Sequence, residues 1–178
     1  RSGTYVPPPG CGAGGPCLVF LSSTPHQGNL GGVSGADAKC QAAATAAKLP
    51  GTYKAWLSDS HSDSSPNIRF TRSAGPYQLV TGVTVAANWA DLVDGNLAAS
   101  INVTENGGVV VAVGEAAWTN TRADGSRLDS PSHCDNWQSN AGGTSGRVGI
   151  VIRTDHVWTD ASTVSCENHA PLYCFQQS

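Results

Sequence analysis

The sequence predicts an α+β domain of mixed, mostly antiparallel sheets, with one main helix at about 34–48, a second short helix at about 86–94, and disulfide staples. Three observations lead there. Short apolar runs of strand length outnumber helical patterns and do not alternate regularly with them, which argues against a parallel βαβ layout. The six cysteines are even in number and contain no Cys-x-x-Cys pair, so they read as disulfides and place the chain outside the reducing cytoplasm. At 178 residues the chain suits one domain. A chain of that size buries roughly two-thirds of its unfolded surface, so the bridges reinforce a core rather than replace one.

Residues 1–16 read as a linker or lead-in, and residues 17–178 as the domain. Pro7–Pro9 favour polyproline II and the glycines that follow raise chain entropy, so this stretch packs no core. Cys11 and Cys17 bracket its end, where the flexible residues between them suit a small local ring. Leu18–Leu21 reads as a buried strand, followed by a polar turn through Thr24–Asn29. Ser34–Lys48 is the clearest helix. Ser34 with Asp37 resembles a capping box, alanine dominates, and Lys48 stands in the last turn before Pro50-Gly51. Val33, Ala36, Cys40, Ala43 and Ala47 fall on one stripe, which turns Cys40 toward the core.

Tyr53–Ser58 reads as a strand and Ser58–Asn67 as a loop. Tyr77–Val80 suits a short strand, Ala86–Val93 a short helix carrying Trp89 with Gly95 at its end, and Val109–Val113 a further strand. Asn102-Val103-Thr104 is a glycosylation sequon, relevant to a eukaryotic source. Beyond Trp118 the chain turns Gly/Ser/Asn-rich, with apolar pieces at Val148–Ile152, Val157-Trp158 and Leu172–Phe175. No internal repeat is present.

Charged residues make up 13% of the chain, against roughly 25% in ordinary soluble domains, while 21 Gly and 10 Pro imply many turns. The net charge is −3 and Lys/Arg form no cluster, so nucleic acid and heparin are disfavoured as partners. No run of 18 apolar residues exists, which argues against membrane insertion. Arg1 stands where an initiator Met would, so the chain reads as a processed or excised segment.

Four stretches resemble endostatin, the C-terminal domain of certain collagens, and the bacterial endostatin-like proteins that share its C-type-lectin-like fold. They are Gly35–Cys40; Gly51–Ser58; Ala117–Asn120 running through Asp124–Leu128 to Cys134–Trp137; and the tail from Val157 to Cys174. The similarity spans about residues 18–176. It implies a C-type-lectin-like single domain and the pairings Cys40–Cys174 and Cys134–Cys166, each stabilising by roughly 3–5 kcal/mol on chain-entropy grounds. Endostatin's zinc ligands come largely from a His-rich N-terminal segment, but residues 1–16 hold no His. Its heparin site is a set of clustered arginines, whereas Arg69, Arg72, Arg122, Arg127, Arg147 and Arg153 are dispersed here. The lectin calcium motifs, Glu-Pro-Asn or Gln-Pro-Asp followed by Trp-Asn-Asp, are absent.

The chemistry the residues themselves offer is sparse. No His-Glu-x-x-His or Gly-x-Ser-x-Gly motif occurs, paired cysteines leave no free thiol, and acid pairs such as Asp91/Asp94 or Asp155/Asp160 are unspecific. The chain therefore reads as non-enzymatic. A Cys134–Cys166 bridge would draw His133, Asp135, Glu167 and His169 together as a Zn²⁺ set, although such side chains more often hydrogen-bond loops. No cofactor is expected, since neither Ca²⁺ nor Zn²⁺ is backed by a motif. Four of the five tryptophans are expected in the core rather than as sugar-stacking platforms. The loops Ser58–Asn67, Thr119–Ser132 and Ser139–Arg147 have the composition of recognition loops. With the Cys134 motif they supply the candidate contacts Asn120, Arg122, Asp124, Arg127, Asp135, Asn136, Asn140 and Arg147. The expected function is an extracellular recognition module, a bacterial surface or fibre-tip adhesin binding a cell-surface glycan or protein. The alternatives are a structural subunit of an extracellular assembly and a hydrolase with acids in a loop-lined cleft. Homo-oligomerisation is placed at the N-terminus or outside this segment.

Overall fold

The computed structural model describes residues 3–178. Arg1 and Ser2, the first residues of the expected lead-in, lie outside the described residues. The chain is an α+β domain with two sheets, few helices and three disulfides. The strands are β1 (Cys17–Leu21), β2 (Tyr53–Ala55), β3 (Tyr77–Leu79), β4 (Thr84–Ala86), β5 (Ala116–Trp118), β6 (Ser145–Ile150), β7 (Ser162–Ser165) and β8 (Tyr173–Gln176). The larger sheet has the order β2-β8-β1-β3-β4 and the smaller β5-β6-β7. Among the strand pairs of the described residues only β1/β3 is parallel; the others are antiparallel.

Burial of β1 and β8 on both faces explains why they read as continuous apolar runs. Val19 and Leu21 face one core cluster with Tyr173 and Phe175, while Phe20 faces the other with Leu172 and Cys174. The first cluster is aromatic: Trp56 packs on Trp158 at a centroid distance of 4.9 Å and on Phe175 at 5.4 Å. The second takes the main helix, α1 (Gly32–Ala46), whose buried side is Ala36, Cys40 and Ala44. Small side chains let the helix lie close to β2, and Cys40 bridges to Cys174 on the adjacent β8.

The ends of α1 differ from the expected 34–48. Gly31, at φ 84°, is the N-cap, and neither Ser34 nor Asp37 caps with its side chain. Asp37 instead turns sideways, accepting from Ala55 N–H at 2.8 Å and pairing with Arg69 at 2.9 Å. At the other end Lys48 is the left-handed residue of a Schellman motif, at φ 58°. Its N–H bonds Thr45 O, and that of Leu49 bonds Ala44 O.

Two single-turn helices follow, α2 (Pro66–Arg69) and α3 (Trp89–Leu92). The second is shorter than the expected 86–94 because Thr84–Ala86 pairs with β3 and Asn88 caps the turn, its Oδ1 accepting from Asp91 N–H at 2.9 Å. The expected strand Val109–Val113 joins neither sheet. It lies on the surface with a single bridge, Val103 to Val109. The Cys11–Cys17 ring closes at the start of β1, as the spacing suggested. No helix among the described residues is long and apolar enough to cross a membrane.

Candidate functional site

The site region rests on a buried polar network that ties together four segments distant in sequence. Trp56 Nε1 donates to Thr159 Oγ1 at 2.7 Å, and Thr159 Oγ1 donates to Thr121 O at 2.8 Å. Trp137 Nε1 at 2.8 Å and Asn120 Nδ2 at 3.2 Å both donate to Ser58 O. Each of these groups is buried and satisfied, which holds the loop after β5 against the loop after β2. Asn120, expected among the contact residues, is therefore fully buried.

Above this floor lies an unusual backbone. Cys134, Asp135, Asn136 and Trp137 all have positive φ, between 49° and 61°, making one left-handed turn without a glycine. Each such residue costs about 1–2 kcal/mol, less for Asp and Asn. Several contacts oppose that strain. His133 Nδ1 accepts from Asn136 N–H at 2.8 Å, and Trp137 N–H donates to His133 O at 2.7 Å. Asn136 Oδ1 accepts from Ser60 N–H at 3.0 Å, and Cys134 is bridged to Cys166. The bridge packs so closely that a Cβ at Gly146 would lie 2.8 Å from Cys134 Sγ and 2.6 Å from Trp118 Cζ3. Because His133 Nδ1 is an acceptor, the ring proton of the neutral form sits on Nε2.

This turn forms one wall of an open hollow of about 420 Å³ lined by Pro131, His133, Asp135, Ser139, Thr144 and Ser145. Its hydroxyls bond each other and the main chain: Ser139 Oγ to Thr144 Oγ1 at 3.2 Å, Thr144 Oγ1 to Ala141 O at 2.9 Å, and Ser145 Oγ to Ser132 Oγ at 3.2 Å. None of them is bonded to His133. The surface thus offers an imidazole, an exposed carboxylate and several hydroxyls to a polar ligand.

A second depression, about 320 Å³, takes Arg122 and Asp124 together with Asp94, His156 and Asp160. Asp160 is engaged by Arg147, whose Nε and Nη2 both donate to its Oδ1, at 2.8 and 2.6 Å. Burial pushes the Asp124 carboxyl up, but hydrogen bonds from Ser126 Oγ and N–H and the charge of Arg122 outweigh it and hold the carboxyl below its usual range. Arg127 lies beside Asp129 at 3.6 Å and its carbonyl accepts from Arg122. Asn140 Nδ2 donates to Gln27 Oε1 at 3.1 Å and lines neither hollow. The eight expected contacts are thereby divided: Asp135 lines the first hollow, with Asn136 in the same turn and its side chain on Ser60; Arg122 and Asp124 line the second with Arg147 behind them; and Asn120, Arg127 and Asn140 line neither.

The proposed metal set is also divided. His133 and Asp135 share the first hollow, Glu167 lies over Gly142, and His169 lies beside His26. No three of the His, Cys, Asp or Glu side chains converge as a metal site among the described residues. All five tryptophans are buried, where four were expected; Trp89 joins the others by packing on Trp56 and Phe70. Of the other lining residues, Pro131 lies in the loop 119–132 and Ser139, Thr144 and Ser145 lie in the loop 139–147, the stretches that composition marks as recognition loops, and no motif distinguishes these side chains within them.

A family model described as a protein of unknown function (DUF1554) matches residues 23–154, from the turn after β1 to just past β6. No curated protein matches the chain.

Proposed function

We propose that this chain, which belongs to the family described as a protein of unknown function (DUF1554), is a non-enzymatic extracellular recognition module. It binds a cell-surface glycan or protein through the hollow beside the Cys134–Cys166 bridge. The observation that carries this reading is the left-handed turn Cys134–Trp137 in the wall of that hollow. Non-glycine backbone in this conformation is retained only where its surroundings over-determine it, and such strain concentrates at ligand sites. His133 spends its Nδ1 on the main chain rather than on a hydroxyl, which supports binding over nucleophilic chemistry. The hydroxyls and carboxylate suit a polyhydroxylated or polar ligand held by hydrogen bonds.

The same reading takes the domain as C-type-lectin-like and akin to endostatin. Supporting it are the bridges Cys40–Cys174 and Cys134–Cys166, the pairings implied by the resemblance, and a main helix packed on a mixed sheet. Three disulfides support an extracellular setting, at a bacterial surface. The test is a glycan array together with a pull-down from cell-surface material, both with the folded chain. Binding is expected, and Asp135→Gly, which suits positive φ but removes the carboxylate, is expected to weaken it at least about tenfold while leaving the unfolding free energy within about 1 kcal/mol. Absence of binding in both assays, or binding indifferent to Asp135 and Thr144→Ala, overturns the reading.

A further inference from the structure

Two segments expose apolar side chains without a partner, and they lie at opposite poles of β1. At the start of β1 the lead-in leaves the Cys11–Cys17 ring with Tyr5 and Val6 about 80% exposed. At its far end Leu21 N–H bonds Val103 O, and Val103 in turn bridges Val109, the first residue of Val109-Val110-Val111-Ala112-Val113. Val109, Val111 and Val113 are 62%, 75% and 79% exposed, while Val110 packs inward.

The backbone of this valine segment is paired on one side only. Val110 N–H donates to Asn102 O at 2.8 Å and Val110 O accepts from Asn102 Nδ2 at 3.0 Å. In extended chain successive residues direct their N–H and C=O groups to opposite sides, so those of Val109 and Val111 face outward. Among the described residues Val111 N–H has no acceptor. This is an open strand edge with apolar side chains and no charge of its own, the type of edge that other chains extend.

We propose that the occupant of this edge is the lead-in of a second copy of the chain, with Thr4-Tyr5-Val6 adding as a short strand to Val109–Val111. The donor residues are β-branched or aromatic, and Pro7, which has no N–H, ends the pairing after Val6. Charge is complementary: residues 1–16 carry one Arg and no acid, whereas Glu115 lies beside Val110 at the edge. Donor and acceptor stand at opposite ends of β1, so two copies either exchange lead-ins reciprocally as an antiparallel two-fold pair or, when only one lead-in is docked, leave a free edge that propagates head to tail. The few side chains involved bury a few hundred Å², well below the roughly 1,200 Å² of a stable interface, so each link is weak and assembly depends on concentration. This inference does not rest on the ligand hollow, and either can fail without the other.

The test is sedimentation velocity of the whole chain from about 10 μM to 1 mM, a range suited to a weak contact. The weight-average mass is expected to at least double. The variants Val111→Lys and Tyr5→Asp/Val6→Asp change only exposed side chains, and circular dichroism checks that both fold. Each alone is expected to remain monomeric, but a mixture of the two forms one-to-one heterodimers and stops there, since one supplies the lead-in and the other the edge. A wild-type chain monomeric at 1 mM overturns the proposal. So does self-association of Tyr5→Asp/Val6→Asp, the mark of edge-to-edge pairing, or a mixture that stays monomeric.

Discussion

Removing the two inner-core disulfides separately tests whether they stabilise by restricting the unfolded chain. Cys40–Cys174 spans a sequence separation of 134 and encloses Cys134–Cys166, which spans 32. With the inner bridge intact, the outer one closes an effective loop of about 100 residues, worth about 4.7 kcal/mol, while the inner closes about 33, worth about 3.7 kcal/mol. All four cysteines are fully buried, so each Cys→Ala pair leaves a comparable void and that contribution largely cancels in the comparison. Cys40→Ala/Cys174→Ala is therefore expected to lose about 1 kcal/mol more than Cys134→Ala/Cys166→Ala. Urea unfolding followed by fluorescence of the buried tryptophans reads both, with the slope fitted separately because an uncrosslinked unfolded chain is more expanded. If the inner pair costs as much as the outer, or either costs less than about 1 kcal/mol, the loop argument is refuted.

Three further outcomes are expected. Tyr53 has a buried hydroxyl with no partner and its pKa is pushed up to about 12 by burial, so Tyr53→Phe should raise stability by about 1 kcal/mol; a loss in urea unfolding would contradict this. Thr159→Val strips Trp56 Nε1 of its 2.7 Å acceptor and should cost about 2–3 kcal/mol, with a shift in tryptophan emission. His26 has its pKa held below the usual imidazole value, first by burial and then by Lys39 and His169. The unfolded chain then takes up the proton first, so this contribution is full above about pH 6.5 and is lost as pH falls through the folded-state value. The urea midpoint should fall between pH 7.5 and 5, the drop should shrink in His26→Gln, and a midpoint that rises on acidification would reverse the sign.

Much of the scaffold was legible because it is written locally. The alanine-rich run after Gly31 has high helix propensity and a small-residue stripe to bury, and Leu18–Leu21 and Tyr173–Phe175 are apolar on successive residues because both faces are covered. The ends of α1 were less so: Lys48 reads as a favourable last-turn cation, yet the chain reverses there through a Schellman motif that a glycine would have announced. Val109–Val113 has the composition of a buried strand. Only the positions of β2 and β4 at the sheet edges, and of Asn102–Thr104 on its one paired side, leave it open to solvent.

The candidate site divides the same way. Loop composition pointed to 139–147 and to the Cys134 motif, but nothing in Cys134-Asp135-Asn136-Trp137 signals four left-handed residues, since that conformation is imposed by Cys166, Ser60 and Ser58 from elsewhere in the chain. Asn120 has the sequence context of any loop asparagine, and its burial is set by Ser58 O, 62 positions away, which accepts from its amide. The sequence by itself determined the class of the fold, its main helix and the local Cys11–Cys17 ring, because composition, periodicity and short spacing carry these. Which loops share a hollow, where the backbone is strained and which apolar strand edge stays unpaired were decided by tertiary structure, because each depends on contacts between residues dozens of positions apart.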